Sequence, residues 1–149
     1  MSESIVIIDY NIGNLRSVQK SFEKNDCDAI ITNNHEKILN ADKIVLPGVG
    51  SFKDGMNGLL NLGLVEILNE SIINNKKPFL GICLGMQLMA NRSYENIETK
   101  GLGWIDSEIV KFDFNSTTKD LKIPHVGWNS VTFKEDCPLY KGIPNESDF

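Results

Sequence analysis

Gly81-Ile82-Cys83-Leu84-Gly85 sets one thiol between two glycines, after the apolar run beginning at Pro78-Phe79-Leu80 and before apolar residues at helical spacing. This is the thiol counterpart of the Gly-x-Ser-x-Gly nucleophile elbow, where a strand turns sharply into a helix and lifts the reactive side chain out of the sheet. The glycines permit the sharp turn and the close packing of neighbouring segments. At a helix N-terminus, unpaired N–H groups and the helix dipole favour thiolate over thiol. The alternative is a buried structural cysteine, since free cysteine is among the most buried residue types. Its place between two glycines at a strand–helix junction favours the nucleophile. The motif defines a class of chemistry and names no substrate.

Pro47-Gly48-Val49-Gly50 follows another apolar run. Pro and Gly after a strand commonly mean only a tight turn. Beside a nucleophile, the same residues can present backbone N–H groups to a reacting carbonyl, and Gly50 would admit a substrate close to the main chain. Preorganised donors of this kind form an oxyanion hole, and losing one costs about 2.7–4 kcal/mol of barrier. The N–H of Leu84, next after the nucleophile, is the natural second donor.

A cysteine hydrolase also needs a base, usually His, held by a carboxylate or amide. The chain offers His35 and His125. His35 opens a short helix and reads as a surface residue. His125 lies in Ile123-Pro124-His125-Val126-Gly127-Trp128-Asn129, which reads as a punctuated strand end, as a recognition or interface loop (the preferred reading), or as the source of a catalytic base. Asp9 reads as a loop or helix cap. Cys27 and Cys137 have no metal-ligand spacing, so no metal is expected. Gly48-Val49-Gly50 lacks the third glycine of a dinucleotide fingerprint, and no helix is expected directly after it. No cofactor is expected.

These residues need elements to hold them. Ile5-Val6-Ile7-Ile8 is the continuous β-branched run of a strand buried on both faces. Leu15, Val18 and Phe22 mark an amphipathic helix with Asn14 as N-cap, ending near Asn25. Ala29–Thr32 reads as a strand, 35–40 as a short helix, and Lys43–Leu46 as a third strand that the Pro-Gly turn cuts off. Leu64, Ile67, Leu68 and Ile72 share one helix face, and Phe79–Ile82 is a fourth strand. Alternating strands and helices predict an α/β fold with a doubly wound, mostly parallel sheet. Ligands bind such sheets beyond the carboxyl ends of the strands, and residues 9–14, 47–50 and Cys83 all fall at that edge. Beyond Asn91, strands are expected over 101–104, 108–112, 122–125 and 130–133, forming a mixed or antiparallel extension, with a polar loop at 113–120.

The 149 residues suit one domain. Hydrophobic content of 41% and charged content of 23% are those of a soluble globular protein. A net charge of -5 without a basic run argues against nucleic-acid binding. No apolar stretch approaches spanning length, so no membrane association is expected. The opening residues lack the basic n-region and long apolar core of a signal peptide, and three scattered cysteines do not suggest a disulfide framework. A cytoplasmic location is expected.

Gly81-Ile82-Cys83-Leu84-Gly85-Met86-Gln87 closely resembles the nucleophile motif of class I glutamine amidotransferases. Asp9-Tyr10-Asn11-Ile12-Gly13-Asn14-Leu15, Leu46-Pro47-Gly48-Val49-Gly50-Ser51-Phe52 and Pro124-His125-Val126-Gly127-Trp128-Asn129 narrow the resemblance. Together they are similar to the glutaminase subunits that feed an imidazole-forming synthase in histidine biosynthesis, across almost the whole chain. The resemblance implies a flavodoxin-like three-layer sandwich in which Cys83 attacks the side-chain amide of glutamine, giving a glutamyl thioester and ammonia. Gly48, Val49, Gly50 and Leu84 would supply the oxyanion hole, and Gly50 and Gln87 would seat the substrate. Ammonia would pass to a (β/α)8-barrel synthase partner that controls the glutaminase. Asn11, Asn14, His125 and Trp128 would lie toward that partner.

The family carries its catalytic His and Glu in a C-terminal segment that follows the point where this sequence stops, and neither His35 nor His125 matches that position. The expectation is therefore a truncated domain holding a nucleophile without its base, and residues 1–149 alone are expected to show no meaningful glutaminase activity. Three other readings stay open. One is an amidotransferase subunit for sugar-nucleotide and surface-polysaccharide synthesis. The second is a catalytically inactive partner-binding protein, and the third an unrelated cysteine hydrolase using His125.

Overall fold

The computed structural model describes residues 3–112, 123–124, 126–135 and 137–149. The chain divides into two compact units, 1–111 and 112–149.

The first unit is built on a four-stranded parallel sheet of β1 (Ile5–Ile8), β2 (Ala29–Thr32), β3 (Lys43–Gly48) and β4 (Phe79–Cys83), in the order β2-β1-β3-β4. Every residue of β1 is buried, as its unbroken apolar run requires of a central strand. Side chains alternate between the two faces. Val6, Ile8, Ile44 and Leu46 join one core with α2 (His35–Asn40), α3 (Phe52–Asn61), α4 (Leu64–Asn69) and α5 (Leu84–Gln87). Ile5, Ile7 and Val45 face the other way, onto Leu15, Val18 and Phe22 of α1 (Leu15–Glu23). Helices on both faces give the expected doubly wound, three-layer arrangement. Asn14 caps α1, its side-chain oxygen accepting from Ser17 N at 3.4 Å, and Asn34 caps α2 through Lys37 N at 3.0 Å.

Several local expectations are corrected. The third strand does not stop at Leu46 but runs through Pro47 to Gly48, pairing Pro47 with Ile82 and Gly48 with Cys83. The β1 ladder ends at Val45, so Pro47, which has no N–H to give, stands where the strand keeps a ladder partner on one side only. A helix does follow the Pro-Gly turn directly: Ser51 caps α3, its Oγ accepting from Asp54 N at 3.2 Å. The helix from Leu64 ends in a π-helical turn over Glu70–Asn74. The helix after Cys83 is a single turn.

Residues 101–104 form no strand. A separate three-stranded sheet appears instead, ordered β6-β5-β7 from β5 (Ala90–Ser93), β6 (Thr99–Lys100) and β7 (Ile105–Ile109). It is mixed, since β5 runs antiparallel to β6 and parallel to β7. Trp104 ties it to the main core, edge-on to Phe79 at 5.0 Å between ring centres, with its indole N–H donating to Asn69 Oδ1 at 2.7 Å.

In the second unit, β8 (Ser130–Val131) and β9 (Ser147–Asp148) pair antiparallel. Phe133 and Tyr140 stack with ring centres 4.3 Å apart, and Phe133 N donates to Asn145 Oδ1 at 2.7 Å. The strand expected over 130–133 is thus limited to two residues. Of the one expected over 122–125, only Ile123 and Pro124 are described, and they are not strand. The polar loop at 113–120 lies outside the described residues.

Candidate active site

Cys83 ends β4 and opens α5 with φ +53° and ψ −115°, a conformation that strains a residue with a side chain by about 1–3 kcal/mol. The two glycines are needed for proximity rather than for left-handed torsions. A Cβ on Gly81 would lie 2.7 Å from Met86 Cα and 2.8 Å from Met86 N, and one on Gly85 would fall inside the Leu46 carbonyl. Leu84 and Leu88, both buried, anchor the short helix in the core, while Cys83 itself is exposed. Only one helical turn follows the thiol.

The end of β3 lies alongside. Gly48 is the ladder partner of Cys83. Val49 and Gly50, beyond it, are exposed, and Gly50 takes φ +98° with open space where a Cβ would be. Gln87 is half-buried on α5. The 9–14 loop reaches the same edge, since a Cβ on Gly13 would sit 3.5 Å from Gly48 Cα. Asp9 is a loop cap, its Oδ1 accepting from Asn11 N at 3.2 Å. Asn11 (φ +66°) and Asn14 are both exposed. The structure thus brings Cys83, Gly48, Val49, Gly50, Leu84, Gln87, Asn11 and Asn14 to one end of one sheet. An exposed thiol beside backbone N–H groups suits acyl transfer through a thioester.

His35 is exposed, with Nε2 3.0 Å from the Leu62 carbonyl. Cys27 Sγ lies 3.4 Å from the Asn25 carbonyl, and Cys137 is exposed in the second unit. His125 lies outside the described residues. Trp128, 83% exposed, belongs to the second unit. Among the described residues no group of three or more His, Cys, Asp or Glu could hold a metal, and no helix is long and apolar enough to cross a membrane.

Two residues at this edge escape sequence reasoning. Glu95 Oε2 accepts from Phe52 N at 2.9 Å, closing the start of α3 beside Gly50-Ser51. Forty-three positions separate the pair, and no local pattern announces it. Tyr10 is fully buried, and its hydroxyl has no hydrogen-bond partner among the described residues. Burial, with the negative charge of Cys83 second, pushes its phenol up to about 12. The sequence puts Tyr10 in the 9–14 segment at this edge, but nothing in it tells that the ring is buried there with its hydroxyl against Gly48.

A model of the class-I glutamine amidotransferase family matches residues 6–149. The HisH 1 subunit of imidazole glycerol phosphate synthase from Campylobacter jejuni strain RM1221 is 50% identical over 145 residues, covering 97% of this chain and 71% of that protein. The HisH subunit from Methanocaldococcus jannaschii is 50% identical over 146 residues (97% and 69%), and that from Pelagibacter ubique 45% over 148 (97% and 70%). Among solved structures, a putative peptidase E protein from Listeria monocytogenes EGD-e superposes with a TM-score of 0.57 at 13% identity, over 70% of this chain and 63% of that one. That likeness concerns the fold alone. With a family match over nearly its whole length and half its residues shared with curated relatives, the chain belongs to the class-I glutamine amidotransferases.

Proposed function

We propose that the chain acts as the glutaminase subunit of an imidazole glycerol phosphate synthase, in histidine biosynthesis. The observation that supports this best is the strained, exposed Cys83 at the end of β4, with Gly48 as its ladder partner, in a chain half identical to HisH subunits. In this reading the Cys83 thiolate attacks the amide carbon of glutamine. The oxyanion forms against the N–H groups of the Gly48–Gly50 segment and of Leu84. Collapse of the tetrahedral intermediate expels ammonia, with a proton supplied to the leaving nitrogen, and leaves a glutamyl thioester. Water then cleaves the thioester to glutamate and regenerates the thiol. Gly50 and Gln87 seat the substrate, and no cofactor takes part.

The ammonia is consumed by a cyclase subunit with a (β/α)8 barrel (HisF-like), and the two subunits form a cytoplasmic heterodimer with lyase activity. Asn11, Asn14, His125 and Trp128 are the residues offered to that partner. The proton transfers need a base, and among the described residues the one histidine, His35, is held at the Leu62 carbonyl. The 149-residue polypeptide by itself is proposed to form one glutamine amidotransferase domain that turns over no glutamine, while still exposing a reactive Cys83.

Diazo-oxo-norleucine, an electrophilic glutamine analogue, tests the assignment. It is expected to label Cys83 and to spare Cys27 and Cys137, as read by peptide mass spectrometry. In the complex with the synthase subunit, Cys83→Ser is expected to abolish glutamine-dependent synthesis and to retain synthesis from added ammonium. Labelling at Cys27 or Cys137 instead, or glutamine-dependent synthesis by Cys83→Ser, overturns the reading.

A further inference from the structure

Tyr10 follows β1 directly, and its side chain is 0% exposed. Its hydroxyl has no hydrogen-bond partner among the described residues, an arrangement that lowers stability and is uncommon in native proteins. The hydroxyl oxygen fills the place a Cβ would take on Gly48, and Gly48 is the ladder partner of Cys83. The ring also rests on α3 at Gly58, where a Cβ would come within 3.0 Å of Tyr10 Cδ2 and 2.8 Å of the Tyr10 carbonyl. A glycine on each of two elements makes room for this phenol. Neither carries charge, and Cys83 stands directly across the ladder from one of them, Gly48. Burial keeps the hydroxyl protonated, and so a donor, at any physiological pH.

We propose that Tyr10 is a positioning residue for the Cys83 nucleophile, its buried hydroxyl held against Gly48 so that the O–H turns toward negative charge on the sulfur and favours the reactive thiolate. This rests on the reading of Cys83 as the nucleophile. A hydroxyl hydrogen rotates freely to suit its surroundings. In a dry, weakly polarisable interior, its interaction with a nearby charge is stronger than it would be in water. No proton leaves Tyr10. Phenylalanine would fill the same space without an unsatisfied hydroxyl, so packing alone does not account for the tyrosine.

The test compares the full chain with Tyr10→Phe and with 3-fluorotyrosine at position 10. Alkylation of Cys83 by iodoacetamide is followed by peptide mass spectrometry across the pH range in which a thiol titrates, and melting is measured in parallel. Tyr10→Phe is expected to melt no lower than the parent. Its alkylation profile moves to higher pH, and the rate at neutral pH falls about three- to tenfold. Fluorotyrosine, a stronger donor of nearly the same shape, moves the profile to lower pH, and its result decides the matter if the phenylalanine variant does not fold. Profiles that superpose on the parent overturn the proposal, whatever happens to melting. Alkylation needs no glutamine. A shifted profile in a protein whose Cys83 is not labelled by diazo-oxo-norleucine would therefore count against the glutaminase reading and leave the role of Tyr10 standing.

Discussion

At the scale of single residues, the backbone of Cys83 matters as much as its sulfur. A residue with a side chain held at φ +53° stores strain that glycine would not feel. Cys83→Gly is therefore expected to be more stable than Cys83→Ala by about 1 kcal/mol, read from paired denaturant titrations. Equal stabilities would mean that the torsion is no burden. Tyr10 makes a second prediction, about alkaline pH. Its folded pKa lies near 12, above the unfolded value of 10.0, so the fold favours the protonated phenol. That contribution is complete below pH 10 and is lost as pH rises through about 12. Its full size is about 2–3 kcal/mol. The stability lost over that window should be smaller in Tyr10→Phe by about this amount, and parallel curves for the two proteins would refute it.

At the scale of elements, the elbow depends on the fit of α5 against β3. A methyl group on Gly85 would collide with the Leu46 carbonyl, which belongs to backbone and cannot swing aside. Gly85→Ala is expected to cost about 3 kcal/mol or more, seen as a lowered melting temperature together with slower alkylation of Cys83. Wild-type melting would contradict the packing described. Elements were legible in the sequence where one periodicity ruled. The run Ile5–Ile8 read as a strand buried on both faces and 35–40 as a short helix, and both formed as expected. Legibility failed where two signals conflicted. Pro47 and Gly48 read as a stop, yet a strand with a ladder on one side tolerates both. The glycines at 55 and 58 obscured α3, although each is there to admit a neighbour, Leu84 and Leu88 at one and Tyr10 at the other. Of the site, the chain-local parts were visible, namely the elbow and the β3 end. Glu95 and the hydroxyl of Tyr10 become meaningful only through partners distant in sequence.

At the scale of the whole molecule, the apolar core belongs to one unit. Every buried residue of both clusters lies between Ile5 and Leu88, whereas none of the described side chains of 112–149 is buried. Hydrogen exchange followed by mass spectrometry should therefore find β1 and β3 protected up to the free energy of global unfolding, and β8 and β9 exchanging through much smaller openings. Equal protection in the two would show that the second unit draws on a core of its own. The contact between Gly48 and Tyr10 reaches further still, into how such a sequence can drift. Two positions 38 apart in the chain share a single volume, one supplying the oxygen and the other the absence of a methyl group. Neither can change freely while the other stays. A lineage that acquires a side chain at position 48 must first give up the aromatic ring at position 10, so the two sites are inherited as one character.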